Sequence, residues 1–189
     1  MNIIISCHYD TVFKDPFACF EDGILKGACD NIAGVLAMGH LMHEAPGLHY
    51  ELTEDEEVGM DGARSLAKAY SSDDTLFIVI DVTERAKRWK SILFTIENFH
   101  RIQPKHIKTA LKSFYGKYRL RPTGTESEAW LYRDKGFATV EIDIPVAGGL
   151  HNLKGVVRGE DMWAVAEATR LLAEYFAPKN IREIEGEID

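Results

Sequence analysis

The sequence predicts an α/β fold, a three-layer α/β/α sandwich built around a mainly parallel, mixed sheet. Short apolar runs rich in β-branched residues alternate along the chain with longer stretches of helical spacing. The run at residues 77–81 (FIVID) is apolar at successive positions, which indicates a strand buried on both faces. A sheet buried on both faces needs a helical layer on each side, and this gives the sandwich.

The predicted elements are five strands and five helices. The strands are expected at residues 2–7, 48–53, 76–82, 92–96 and 138–144. The helices are expected at residues 30–44, 61–70, 104–114, 126–135 and 161–176. In the first helix the apolar side chains roughly keep helical spacing, and Asp30 stands in the position of an N-cap.

Length, charge and composition limit the class of protein. A chain of 189 residues is expected to form one domain, 1–189. Its net charge of −8 argues against a nucleic-acid partner, because non-specific binding to phosphates depends on lysine and arginine. No apolar run is long enough to cross a membrane, and residues 1–7 lack the basic start of a signal peptide. Three cysteines without CxxC spacing fit the reducing cytoplasm.

Side chains that bind metals follow four of the predicted strands. His8 and Asp10 follow the first strand, residues 54–57 follow the second, Asp81 ends the third, and His151 comes shortly after the last. Ligands of open α/β sheets bind at the carboxyl ends of the strands. The sequence therefore predicts that these carboxylates and imidazoles meet at one edge of the sheet.

His8 and Asp10 form an HxD pair. Residues two apart in a strand point to the same face, so Asp10 could hydrogen-bond the far ring nitrogen of a metal-bound His8 and fix its tautomer. The alternative is a histidine at a strand end beside a turn aspartate.

Asp30 and the acidic run at residues 54–57 each have two interpretations. Asp30 follows a glycine turn at the start of a helix, where it could be an N-cap or could bridge two cations with its two oxygens. Four adjacent acids repel one another unless solvent or a cation separates them. For Glu56 and Glu57, a bound metal predicts a division of labour in which one glutamate coordinates the metal and the other accepts a proton.

Asp81 and His151 complete the set. A carboxylate in an apolar strand is costly without a cation or hydrogen-bond donors, and His151 follows two glycines that let its side chain approach from a loop. Carboxylates with two histidines suit zinc, with cobalt or manganese as alternatives. The other histidines match no metal motif and are expected at the surface or in packing; they are His40, His43, His49, His100 and His106.

Seven segments in order resemble the zinc-dependent exopeptidases, the superfamily of the co-catalytic di-zinc aminopeptidases and related carboxypeptidases. They are CHYDTV, GACDNIAGV, TEDEEVGMDGA, VIDVTE, GTESEAW, EIDIP and LHN. The region from residue 124 to His151 is most similar to the branch that contains glutamyl and leucyl aminopeptidases and the proteins once called cellulase M. The resemblance implies an α/β/α fold and two bound divalent metal ions.

The resemblance also implies a role for each candidate. His8 and Asp81 would bind one metal, Glu57 and His151 the other, and Asp30 would bridge both. Glu56 would be the general base, and Asp10 would orient His8. The peptide bond between Asp30 and Asn31 would be cis. The expected reaction is hydrolysis of short peptides by a water between the metals, with exopeptidase action favoured.

The sequence departs from its relatives in two ways. They usually carry several dozen residues before the HxD motif, and many insert a second domain for which the step from His8 to Asp30 leaves no room. We therefore expect either a smaller sheet or a first strand whose edge is completed by another subunit of a homo-oligomer.

Other functions stay open at this stage. They are a deacetylase or other amidohydrolase of the same superfamily, a non-catalytic metal-binding assembly protein, and a metal-free binding module. Lys87, Arg88 and Lys90 could line the rim for an acidic substrate or form a solvated loop.

Overall fold

The computed structural model describes residues 1–84, 91–124 and 126–185, in which a six-stranded sheet lies between two layers of helices. The strands are β1 (Asn2–His8), β2 (Ala18–Glu21), β3 (Ile24–Gly27), β4 (His49–Thr53), β5 (Thr75–Glu84), β6 (Ile92–His100), β7 (Lys117–Leu120), β8 (Ala138–Val146) and β9 (Gly155–Arg158). The helices are α1 (Ile32–Glu44), α2 (Asp61–Ala69), α3 (Pro104–Ala110), α4 (Glu128–Asp134), α5 (Gly159–Phe176) and α6 (Ile181–Glu185), with a 3-10 turn at Leu111–Ser113. In the described residues no helix is long and apolar enough to cross a membrane.

The main sheet has the strand order β4-β1-β5-β8-β6-β7. The pairs β4–β1, β1–β5, β5–β8 and β6–β7 are parallel, and β6 runs antiparallel to β8. The prediction of a mainly parallel, mixed sheet is therefore confirmed. Because β1 lies between β4 and β5, it is not an edge strand, and this excludes the second of the two alternatives expected from the sequence.

The central strand β5 explains both helical layers. Its residues alternate between two apolar cores, with Ile78 and Ile80 in the core beneath α1, α3 and α5, and Phe77 and Val79 in the core beneath α2 and α4. Nine of its ten residues are buried, as a strand covered on both faces requires. The same alternation places Asp81 on the α2 and α4 side.

Each predicted strand and helix is present, with ends that differ by up to four residues. The largest differences are β6, which continues to His100, and α3, which ends at Ala110 before the 3-10 turn. Asp81 was expected at a strand end, but β5 continues beyond it to Glu84. It therefore lies inside the sheet, and its neighbours are set by strand register.

Three short strands that the sequence did not predict form a second sheet, with the order β2-β3-β9. This sheet carries the chain from His8 to Asp30 and anchors the segment after His151. Gly27 permits the close approach, because it has a φ of 120° and a Cβ there would lie 2.1 Å from the Phe17 carbonyl oxygen. The small sheet therefore helps to fix two of the candidate residues, Asp30 and His151.

Candidate metal centre

The first group of candidate ligands is set by the pairing of β1 with β5. Ser6 lies opposite Val79, so His8 and Asp81 lie side by side two residues further on. His8 Nε2 lies 3.3 Å from Asp81 Oδ1 and 3.4 Å from Asp30 Oδ1. All three side chains are buried, and their ligand atoms lie within 4.8 Å of one another. The group can hold one metal ion.

Asp30 is not the N-cap that the sequence suggested, because α1 begins at Ile32 and Asn31 is its cap. Asn31 Oδ1 accepts a hydrogen bond of 3.0 Å from the Gly34 amide, and its Nδ2 donates one of 3.0 Å to the Ile80 carbonyl. Asn31 therefore satisfies the helix and ties it to β5, while both Asp30 oxygens face histidines. The peptide bond between Asp30 and Asn31 is cis, as the resemblance implied.

The second group uses the other oxygen of Asp30. His151 Nε2 lies 3.4 Å from Asp30 Oδ2 and 3.3 Å from Glu57 Oε2. The loop before His151 turns through Gly148 and Gly149, whose φ angles of 91° and 99° favour glycine. The His151 side chain is 57% exposed, whereas His8 is almost fully buried. The second group therefore lies at the solvent side of the first, and Asp30 connects them.

Asp10 joins the HxD segment to the two adjacent glutamates. Its Oδ1 and Oδ2 accept hydrogen bonds of 3.3 Å from the amides of Glu56 and Glu57. The same Oδ1 lies 3.4 Å from His8 Nδ1, a separation longer than the usual charge-assisted hydrogen bond. Asp10 thus lies near the far side of His8 and also accepts from the backbone of both glutamates. The sequence did not reveal the contact with the glutamate backbone.

The electrostatics of the centre favour a bound positive charge. Burial by itself would lower the pKa of His8, but hydrogen bonds that its ring donates to the Asp30 and Asp81 carboxylates, together with nearby negative charge, raise that pKa to about 12. Burial, followed by the charge of Asp81, raises the pKa of Glu56 to about 8. Burial also raises the pKa of Asp30, although His8 opposes this. A cation among these carboxylates would remove much of their repulsion.

The distances and an orphaned oxygen both fit metal ions. Two ligand atoms bound to one tetrahedral zinc at its usual bond lengths lie roughly 3.3 to 3.4 Å apart. The histidine–carboxylate separations of 3.3 and 3.4 Å match this spacing and exceed the usual length of a charge-assisted hydrogen bond. Glu57 Oε1 is buried without a hydrogen-bond partner in the described chain, which is costly unless a cation lies nearby.

Behind His8 lies a polar contact that sequence reasoning missed. The Ser6 hydroxyl donates a hydrogen bond of 2.8 Å to Glu128 Oε2 and lies 3.1 Å from the Tyr132 hydroxyl oxygen. All three residues are buried, so they link β1 to α4 beside the candidate ligands. Glu128 belongs to the GTESEAW segment, but nothing in the local pattern distinguishes a buried glutamate from a solvated one at the start of a helix.

A row of buried acids continues from Asp81 across the sheet. Asp143 on β8 lies opposite Asp81 and accepts a hydrogen bond of 2.9 Å from the Thr95 hydroxyl. Glu141 accepts hydrogen bonds from Asn98 and, at 2.9 Å, from Ser127. Burial and then the charge of Asp81 raise the pKa of Glu141 to about 8, and burial followed by Glu141 raises that of Asp143. The sequence could have indicated these buried acids, because the segment VEIDIP (140–145) has carboxylates within an apolar strand, as FIVID (77–81) does.

The remaining predicted positions lie outside the two ligand groups. His40, His43 and His49 are exposed, and His100 and His106 are half-buried. His49 contacts Glu51, and His106 contacts the Tyr175 hydroxyl. Lys87, Arg88 and Lys90 fall outside the described residues.

Comparisons with known proteins identify the family and the fold. Residues 1–148 match the model of peptidase family M28. No curated protein sequence matches the chain. Among solved structures, the TET1 peptidase of Pyrococcus horikoshii, described as assembling into a tetrahedron or a large octahedral shell, has a TM-score of 0.69 at 19% identity. The alignment covers 86% of this chain and 53% of that one.

Two further solved structures share the fold. An aminopeptidase from the archaeon Desulfurococcus kamchatkensis has a TM-score of 0.68 at 24% identity, over 92% of this chain and 56% of that chain. An M18-family aminopeptidase from Thermotoga maritima has a TM-score of 0.59 at 12% identity, over 83% and 48%. The chain thus spans about half the length of these solved proteins, and segments of the larger chains have no counterpart in it.

Proposed function

The chain belongs to peptidase family M28, and from that premise we propose that it is a di-metal aminopeptidase acting on short peptides. The observation that carries the proposal is that Asp30 offers one oxygen to each of two ligand groups, beside a glutamate that belongs to neither. The aminopeptidase names of the structural neighbours support cleavage from the amino end.

In this proposal each side chain of the centre has a defined role. His8 and Asp81 would hold one divalent metal, Glu57 and His151 would hold the other, and Asp30 would contribute to both. Zinc is the expected metal, with cobalt or manganese as alternatives. Two bound metals would acidify water and polarise the scissile carbonyl. Glu56 accepts a proton from the attacking water and returns it to the leaving amine. Asp10 holds the amides of Glu56 and Glu57 and orients His8.

The adjacent glutamates provide the sharpest test. Glu56→Gln removes the proton acceptor while keeping the size of the side chain, so turnover of aminoacyl anilides should fall by several orders of magnitude with metal content unchanged. Glu57→Gln replaces an anionic ligand, so the second metal should be lost or weakened, with partial recovery of activity at high metal concentration. Glu54→Gln is the matched control, because Glu54 is exposed and its side chain accepts a hydrogen bond from the exposed Tyr9 hydroxyl rather than from the candidate ligands.

The outcomes separate the alternatives. If Glu56→Gln loses metal and Glu57→Gln retains it, the two roles are reversed. Hydrolysis of N-acyl amino acids with no action on anilides would favour a deacetylase or another amidohydrolase. Elemental analysis that finds metal with no hydrolysis of either class would favour a metal-binding assembly protein.

We also propose a homo-oligomer in the cytoplasm, without nucleic-acid or membrane partners. The assembly described for the Pyrococcus horikoshii neighbour supports the oligomer. The three cysteines are all free in the structure, which supports a reducing compartment such as the cytoplasm. The net charge of −8 supports the lack of a nucleic-acid partner. Light scattering after size-exclusion chromatography should give a mass above 21.3 kDa, and a monomer would refute the assembly.

A further inference from the structure

A cavity of about 490 Å³ lies between α2 and α4, near the edge of the sheet opposite the metal centre. Ser72 and Phe137, which line it, stand shortly before the starts of β5 and β8, whereas Asp81 and His151 lie toward or beyond the other ends of these strands. Six residues of β-strand separate Thr75 from Asp81, a rise of roughly 20 Å. The cavity is therefore distinct from the candidate metal centre.

Three cationic side chains line this cavity, namely Arg64, Lys68 and Lys135. No carboxylate lines it among the described residues. Arg64 and Lys135 also line a smaller adjacent cavity, which Glu126 and Asp134 share. The chain as a whole is acidic, with 30 acidic and 22 basic residues. Positive charges around a concave surface repel one another and make the electrostatic potential there more positive, which favours the binding of an anion.

Helix ends explain only part of this arrangement. Lys68 lies in the last turn of α2, and Lys135 is the C-cap of α4, where the negative end of each helix favours a cation. Arg64 lies in the middle of α2, where the dipole has no such effect. Its Nε donates to the Gly59 carbonyl at 3.1 Å, and its terminal nitrogens donate to none of the described residues. The dipoles therefore do not account for three cations around one cavity.

The cavity also has an apolar part and a braced rim. Tyr70 and the buried Phe137 line it, and both rings are held edge-on against Phe77. Arg101 Nη1 donates to the Ser72 carbonyl at 2.9 Å and to the Gly136 carbonyl at 2.7 Å, so one guanidinium holds the two loops that form the rim. A braced site loses little conformational freedom when a ligand binds.

We propose that this cavity binds a small organic phosphate, with the dianionic phosphate among Arg64, Lys68 and Lys135 and an apolar or aromatic body against Tyr70 and Phe137. The three cations match a dianion better than a monoanion. The volume is far larger than inorganic phosphate requires and lies in the range of small-molecule sites. The site is separate from the peptidase reaction and does not depend on it.

Isothermal titration of the metal-loaded full chain with phenyl phosphate, inorganic phosphate and benzoate tests the proposal. Phenyl phosphate should bind more tightly than inorganic phosphate, which lacks the ring, and more tightly than benzoate, which has a single charge. The double substitution Lys68→Met and Lys135→Met should weaken phenyl phosphate by roughly tenfold or more. Lys105→Met with Lys108→Met removes the same charge from α3, on the other face of the sheet, and should leave the affinity unchanged.

Three results would overturn the proposal. The first is the absence of binding at millimolar phenyl phosphate, and the second is equal affinity for phenyl phosphate and inorganic phosphate. The third is unchanged binding after the double substitution, because the anion would then bind elsewhere, such as at the metals. If the double variant does not fold, Arg64→Met removes one of the three charges at an exposed position of α2 and should also weaken the binding of phenyl phosphate. Lys105→Met alone is then the matched control. Tyr70→Leu should reduce the preference for the phenyl group while inorganic phosphate binds as before.

Discussion

Replacing Glu141 with glutamine should stabilise the protein, and by more as the pH rises. Glu141 is 1% exposed, and burial with the charge of Asp81 raises its pKa from 4.5 to about 8. Its Oε2 accepts hydrogen bonds from Asn98 and Ser127, which the carbonyl oxygen of glutamine can also accept. The substitution therefore removes the titration while keeping these contacts.

The sign and size follow from proton linkage. A carboxyl whose pKa is higher in the folded state binds its proton more tightly there, so its favourable contribution is complete below pH 4.5 and is lost as the pH rises through about 8. The full difference corresponds to about 4 to 5 kcal/mol. Relaxation of the neighbours reduces this, so we expect Glu141→Gln to gain about 1 to 3 kcal/mol at pH 8.5 to 9 and close to zero at pH 5.

Urea unfolding of the parent and the variant between pH 5 and pH 9, in the presence of chelator, measures the difference directly. Asp161→Asn is the control, because it is an equally buried carboxylate that the Arg158 guanidinium contacts at 2.8 and 2.5 Å. It should lose stability by about 1 to 3 kcal/mol. A gain from Glu141→Gln that is constant with pH, or a loss at every pH, would refute the reasoning, since neither follows from a raised pKa.

Three other changes have defined outcomes. Asp10→Asn should weaken metal affinity or activity by roughly 10- to 100-fold without unfolding the protein. If His8→Ala loses metal affinity and activity while Asp10→Asn changes neither, Asp10 does not orient His8. Asn31→Ala should lower the free energy of unfolding by about 2 to 3 kcal/mol, because the α1 cap and the hydrogen bond to Ile80 are both lost. If urea unfolding gives the variant and the parent the same free energy of unfolding, this reasoning is wrong. Chelation should lower the melting temperature, since metal at 100 times its Kd contributes about 2.7 kcal/mol, and calorimetry that finds the same value with and without chelator would contradict a metal centre.

The sequence determined the fold class and the set of residues that meet in the centre. Alternation of apolar strands with helices is a local pattern, and residues 77–81 indicated burial on both faces because every side chain in the run is apolar until Asp81. Four of the ligand-type residues were identified by their places at or shortly after strand ends, and Asp30 by its place at the start of a helix. The structure brings together His8, Asp30, Glu57, Asp81 and His151 in two groups that share Asp30. Their individual roles came from the resemblance and stay predictions.

Tertiary structure decided the features that depend on partners distant in sequence. Strands such as β2, β3 and β9 are four residues each, too short for a periodic signal, and exist because they pair with one another. Asn31 rather than Asp30 caps α1 because its amide also reaches Ile80 on β5. The burial of Glu141 and the cavity lined by Arg64, Lys68 and Lys135 likewise depend on strand and helix packing. The identity of a charged residue in the sequence does not show whether its side chain faces water or a neighbouring strand. Only the packing of the elements determines whether water or protein surrounds it.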